Sequence, residues 1–310
     1  MDEHPSGAEI SDKIIAYDPE SLARLPVRKD DVLAYYRKRN NRRAQQIVAT
    51  LPVGDDGMLD NGEIDALLLR AHAEIQRLSE EFLQARRLHD LLAPLIGTLR
   101  SEGVAPPYRV VDVGCGTGFA IRWLAMHGAL GDDVELIGAD YNVALVEAAR
   151  KLAEAEQLRC RFEVANAFAL EQPGHIFCSI GVIHHFRGDD LTSFFAEQLS
   201  TPETQAFIHF DIKASWVAPF GAWLFHIARM NEALARHDGV LSACRAHRSE
   251  VLTEAASKGA KGCSVGFFDE DHSIVPIFRV MHAIVALRPS LVTPLYAALG
   301  NEASRLEVPQ

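Results

Sequence analysis

Three glycines at alternate positions, Gly114, Gly116 and Gly118, follow directly on the apolar run Val110-Val111-Asp112-Val113. Glycine reaches positive φ without strain and has no Cβ to hold a ligand away, so this turn offers bare backbone to a nucleotide-like molecule. A second chemical group stands about 20 residues on, where the apolar stretch Val134–Ala139 ends in Asp140. A carboxylate at that distance from a glycine turn is placed to hold a ribose diol. The third is the tandem His184-His185, whose imidazoles suit proton transfer near neutrality.

These residues need a frame. Val110–Val113 reads as a strand and Phe119–Leu124 as a helix, the strand–turn–helix order that puts ligands at the carboxyl end of a parallel sheet. The dinucleotide fingerprint fails, because Phe119 stands where its third glycine belongs, and no Gly-Lys-Ser/Thr ending supports a phosphate loop. Val134–Asp140 is a second strand, and Asn142 can cap the helix Val143–Arg150. Further strands are expected over Arg159–Val164, His175–Ile183 and Ala206–Ile212, then over Gly262–Phe268 and Pro276–Leu287, the last two joined by Asp269-Glu270-Asp271. As neighbours on an extended strand, His184 and His185 should point to opposite sides.

Asp112-x-Gly114-x-Gly116-x-Gly118, followed by Asp140, resembles the class I S-adenosylmethionine (SAM)-dependent methyltransferases, and Gly181-Val182-Ile183-His184-His185-Phe186 resembles their fourth-strand motif. The resemblance covers roughly residues 108–288. It implies an α/β fold with a seven-stranded, mostly parallel Rossmann-like sheet, helices on both faces and an N-terminal helical cap. It implies SAM as cofactor, held by Asp112, Gly114, Cys115, Gly116, Gly118, Asp140, Tyr141, Asn166, Ala167, Phe168 and Gly181. Where the family commonly has an acidic residue for the adenine amino group, this chain has Asn166, whose amide oxygen can accept the same hydrogen bond. His184 and His185 are the candidate bases, and Tyr35, Tyr36, Arg86, Asp211, Trp216 and Trp223 the candidate substrate pocket. No His/Asp/Glu set has ligand spacing, so no metal is expected.

The expected reaction is transfer of the SAM methyl to a small, partly apolar acceptor, releasing S-adenosylhomocysteine. Two alternatives share the cofactor: lysis or cyclisation of SAM to methylthioadenosine, and a non-catalytic SAM-binding partner subunit.

Composition narrows the partners. A net charge of −11 argues against general nucleic-acid binding, and the basic run Arg37–Arg43 reads as a solvated face. Five cysteines lie singly, with no Cys-x-x-Cys pair, as in a reducing compartment. An acidic amino terminus without an apolar signal region and the lack of a spanning stretch predict a cytoplasmic protein.

The chain before the sheet reads as helix. Apolar and helix-forming residues run from Pro19 to Ala49, and a second amphipathic helix runs from about Glu63 to Leu83, capped by Asp60. The acidic residues around Gly62 fail the EF-hand signature, since Gly57 would occupy its first position. Three segments result: a helical cap over 1–100, the SAM-binding domain over 101–290, and a C-terminal helix and tail over 291–310. Residues 213–245, with four aromatics between Trp216 and Phe225, form a possible second part of the cap, and Arg236-His237-Asp238-Gly239 reads as a turn.

Overall fold

The structure, a computed structural model, describes residues 7–128, 130–171, 173–269 and 280–309. The chain divides into two compact units, Ser79–Lys213 with Ala246–Gln310, and Asp2–Leu78 with Ala214–Arg245. The helices, in chain order, are α1 (Ser11–Ile14), α2 (Lys29–Lys38), α3 (Arg42–Ala49), α4 (Asn61–Glu81), α5 (Gln84–Ser101) and α6 (Phe119–His127). They continue as α7 (Val143–Ala155), α8 (Gly188–Gln198), α9 (Ala218–Arg229), α10 (Ala233–Arg245), α11 (Ser249–Gly259) and α12 (Pro289–Leu299).

The sheet unit is built on β1 (Tyr108–Val113), β2 (Val134–Asp140), β3 (Arg161–Val164), β4 (Ile176–Ile180), β5 (Ala206–Ile212), β6 (Ser264–Asp269), β7 (Met281–Leu287) and β8 (Leu306–Glu307). Their order is β3-β2-β1-β4-β5-β7-β6-β8. The first five run parallel, and β7 is antiparallel to both β5 and β6. The eighth strand, beyond the seven expected, is a two-residue pairing on the edge of β6. Alternation along the strands feeds two cores, as a sheet covered on both faces requires. Val110 packs with Leu91 and Leu95 of α5 and Ile121 of α6, while Val111 packs with Phe194 of α8 and Leu252 of α11.

Four expectations are corrected here. The units part at residues 78 and 79, not at 100, because α5 buries Leu88, Leu91, Leu92, Leu95 and Leu99 in the sheet's own core. The helix expected over Pro19–Ala49 is two shorter ones, with Asn40 between them at φ +53°. The third strand begins at Arg161, and the fourth ends at Ile180, because Gly181 turns the chain at φ +69°. Of the acidic connection, Glu270 and Asp271 lie outside the described residues, as do 276–279 of the expected last strand.

The fourth correction falls in the helical unit. Arg236–Gly239 is not a turn but the interior of α10. Gly239 is there for packing, since a Cβ on it would lie 1.9 Å from the His226 ring of α9. Asp238 is buried and accepts hydrogen bonds from the N–H groups of Ile10 and Ser11 at the start of α1, both at 2.9 Å. Glu74 of α4 does the same for Asn231 and Glu232 just before α10. Buried carboxylates on helix-start amides satisfy donors that the helices leave unpaired. They tie 214–245 to the N-terminal segment. Among the described residues, no helix is long and apolar enough to cross a membrane.

Candidate cofactor and active site

The glycine turn is held by its neighbours as well as by its own dihedrals. Gly114 lies at φ +75°, and a Cβ there would sit 2.8 Å from Val182 Cγ2. Gly118, at φ +73°, would drive a Cβ to within 2.2 Å of the Phe162 ring. The N–H groups of Gly114 and Cys115 both donate to the Ala139 carbonyl, at 2.7 and 3.1 Å, so the turn is pinned to the end of β2. Burial, with the charge of Asp140, raises the Cys115 thiol well above its ordinary range and leaves it a poor nucleophile.

Asp140 closes this end of the sheet. Its Oδ2 accepts the Gly116 N–H at 2.8 Å, and its Oδ1 accepts the Asn142 N–H at 2.9 Å. The Asn142 side chain in turn accepts the N–H groups of Ala144 and Leu145, capping α7 as expected from sequence. Asp112, inside β1, is flanked in register by Gly138 and Cys178, neither of which carries charge. Burial and the charge of Asp140 push its carboxyl up to about 8, so it is protonated at neutral pH.

Beyond β3, the Asn166 amide oxygen accepts the Phe168 N–H at 2.9 Å in a local turn. Ala167 packs against the core beside β3, while Phe168 is partly exposed and meets the Phe186 ring edge-on at 5.0 Å. Tyr141 is exposed at the tip of β2. A Cβ on Gly181 would meet nothing within 4 Å, so open space adjoins the end of β4. The glycine turn, Gly181, the Asp140 carboxylate and the Asn166 amide therefore lie at the carboxyl ends of β1 to β4.

At the end of β4 the tandem histidines behave differently from expectation. They lie in a 3-10 turn over Ile183–His185, not on a strand, so their rings are neighbours with centroids 4.5 Å apart instead of facing opposite sides. His184 is buried, and Asp211 at the end of β5 grips it twice. The carboxylate accepts the His184 backbone N–H at 3.0 Å and its Nδ1–H at 2.9 Å. A carboxylate can only accept, so Nδ1 carries the hydrogen. Burial alone would raise the Asp211 carboxyl, but His184 and the amides of Ile212 and His184 outweigh it and bring it down to about 2.

His247, which carries no motif, braces the same turn. Its Nε2–H reaches the carbonyls of Ile183 and Phe186, at 3.2 and 3.0 Å, and its Nδ1 accepts from the Arg187 guanidinium at 2.8 Å. Burial, then the Arg187 charge, holds it down at about 4, so the ring is neutral. It lies 60 residues along the chain from Arg187, its partner in space.

The residues expected in the pocket wall fall in both units. Asp211 is committed to His184 in the sheet unit, and Arg86 is exposed on α5. Tyr36 belongs to the core of the helical unit, its hydroxyl donating to the carbonyls of Ala8 and Glu9, and Tyr35 accepts the Ala8 N–H. Both hydroxyls hold the N-terminal segment. Trp216 is 93% exposed before α9, and Trp223 is 48% exposed on it.

Residues 110–201 match the family described as "Methyltransferase domain". The trans-aconitate 2-methyltransferase of Pseudomonas aeruginosa strain UCBPP-PA14 is 30% identical over 122 residues, 39% of this chain and 41% of that protein. The demethylmenaquinone methyltransferase of Deinococcus radiodurans is 37% identical over 82 residues, 26% of this chain and 32% of that one. The chain thus spans less than half the length of each of these relatives. A plantazolicin methyltransferase, solved with a triazolic desmethylPZN analogue and SAH, superposes with a TM-score of 0.50 at 13% identity, over 72% of this chain and 96% of that one. That likeness speaks to the fold alone. Residues 110–201 thus match the methyltransferase-domain family, and the chain resembles the class I S-adenosylmethionine-dependent methyltransferases.

Proposed function

We propose that this protein transfers the methyl of SAM to a small, partly apolar acceptor. When bound, SAM supplies an electron-poor methyl carbon on a sulfonium with a neutral leaving group. The protein's own tasks are then alignment and exclusion of water. Asp140 would receive the ribose hydroxyls, Asn166 and the amides after it the adenine edge, and the open backbone at Gly114, Gly116 and Gly181 the remainder. Asp112, protonated, would present a donor and not a charge. His184 Nε2 would take the proton from an acceptor hydroxyl, with Asp211 fixing the tautomer and steadying the cation that forms. His185 beside it would line the same opening.

The observation that carries this reading is Asp140, whose carboxylate stands at the end of β2 and is fixed against the glycine turn by the Gly116 N–H and against the start of α7 by the Asn142 N–H. Calorimetric titration with SAM tests it. Asp140→Ala should weaken binding by about 1.5–3 kcal/mol, the range for a hydrogen bond to a charged group, or about ten- to a hundred-fold. Unchanged affinity in a folded variant removes Asp140 from the site.

A further inference from the structure

The helical unit contains a cavity of about 530 Å³ that the cofactor reading does not use. Its apolar wall is Trp223 and Ile227 of α9 with Val240 and Leu241 of α10, and its polar end carries Arg43 of α3 and Arg236 of α10. Among the described residues no carboxylate lines it. Arg236 is braced on backbone, its Nε donating to the Met230 carbonyl at 2.7 Å and its Nη2 to Asn231 at 3.1 Å. That fixes the guanidinium without neutralising it.

Arg43 is exposed and makes no ion pair among the described residues. It closes the basic run Arg37–Arg43, a concentration of positive charge in a chain of net charge −11. His237, at the same end, is already engaged through Nδ1 with Asp238 and through Nε2 with Asn41. The two guanidiniums are therefore the polar groups there without an anionic partner. A planar guanidinium beside an apolar wall matches a carboxylate in geometry and charge. The volume falls in the range of small-molecule pockets, which is too little for a partner helix with its side chains. Trp223, stacked with Phe220 at 5.9 Å, gives the wall a flat aromatic surface.

We propose that this cavity binds a small apolar molecule bearing a carboxylate, the acid on Arg43 and Arg236 and the body against Trp223, Ile227, Val240 and Leu241. The site belongs to the helical unit alone and does not rest on the methyl-transfer reading.

The full chain, without SAM, is titrated with naphthalene-2-carboxylate and separately with naphthalene-2-methanol, by calorimetry and by tryptophan fluorescence. The carboxylate should bind about ten-fold or more tighter than the alcohol, as a charge-assisted hydrogen bond implies. Arg43→Gln, a surface change that leaves the fold alone, should remove about ten-fold of the carboxylate affinity and leave the alcohol unchanged, with Arg43→Lys in between. Val240→Trp, which fills the cavity, should abolish both. Equal affinity for acid and alcohol, a carboxylate indifferent to Arg43→Gln, binding that survives Val240→Trp in a folded protein, or no binding of either probe would each overturn the proposal. Because SAM is absent from every cell, these outcomes leave the reading of Asp140 untouched.

Discussion

Two carboxylates at the same edge of one sheet are driven in opposite directions. Asp112 in β1 and Asp211 at the end of β5 are both almost fully buried. Asp112 is flanked by glycine and cysteine and faces only the like charge of Asp140, and it rises to about 8. Asp211 is gripped by His184 and two backbone amides and falls to about 2. Burial is common to both, so the partners decide the sign. The β1–β2 end thus presents backbone and a protonated acid, and the β4–β5 end presents an ionised carboxylate hydrogen-bonded to an imidazole.

The sharpest break of that contrast is Asp211→Ala. It strips three donors, the His184 Nδ1–H and the His184 and Ile212 N–H groups, of their acceptor and should cost about 3–5 kcal/mol in urea unfolding at neutral pH. A loss below about 1 kcal/mol would mean that the pair is not desolvated as its burial implies.

Asp112→Asn should do little at low pH and help at high pH. The folded carboxyl keeps its proton up to about 8, whereas the unfolded one loses it near 4. Across that window the folded state binds the extra proton, so wild-type stability falls as pH rises. The asparagine has no such dependence. Its stability relative to wild type should climb by on the order of 1 kcal/mol per pH unit between about 5 and 8, read from denaturation midpoints. A flat difference would show that Asp112 is ionised throughout.

The smallest effect concerns His247. Its folded value of about 4 lies below the ordinary 6.5, so the unfolded state takes up the proton first as pH falls. Its contribution is complete above about 6.5 and declines as pH drops towards 4. His247→Gln should cost about 1 kcal/mol at pH 7, where a carbonyl-directed hydrogen bond is weakened, and should flatten stability between those values. An unchanged acid slope would assign it to other groups, such as His209, which is held at about 3 between Ser179 and Gln198.

The β1–β2 end was legible in the sequence because its chemistry is local. Val110–Val113, the glycines and Val134–Asp140 are contiguous runs whose roles follow from residue type and spacing. The β4–β5 end was read less well. Apolar residues continue through Val182 and Ile183, but Gly181 turns the chain, so the histidines left the strand. His247 lies far away in sequence and has no pattern to mark it. In the helical unit, a glycine and an aspartate at 238–239 look like a turn until the His226 ring and the α1 amides are placed against them. Such contacts exist only after folding.

The central claim is methyl transfer, and the nucleoside product tests it most directly. The purified chain is incubated with SAM, with and without small-molecule extract as acceptor, and the products are identified by mass spectrometry. S-adenosylhomocysteine should form steadily with extract and almost not at all without it. Enzyme-dependent release of methylthioadenosine in the absence of any acceptor would contradict the account.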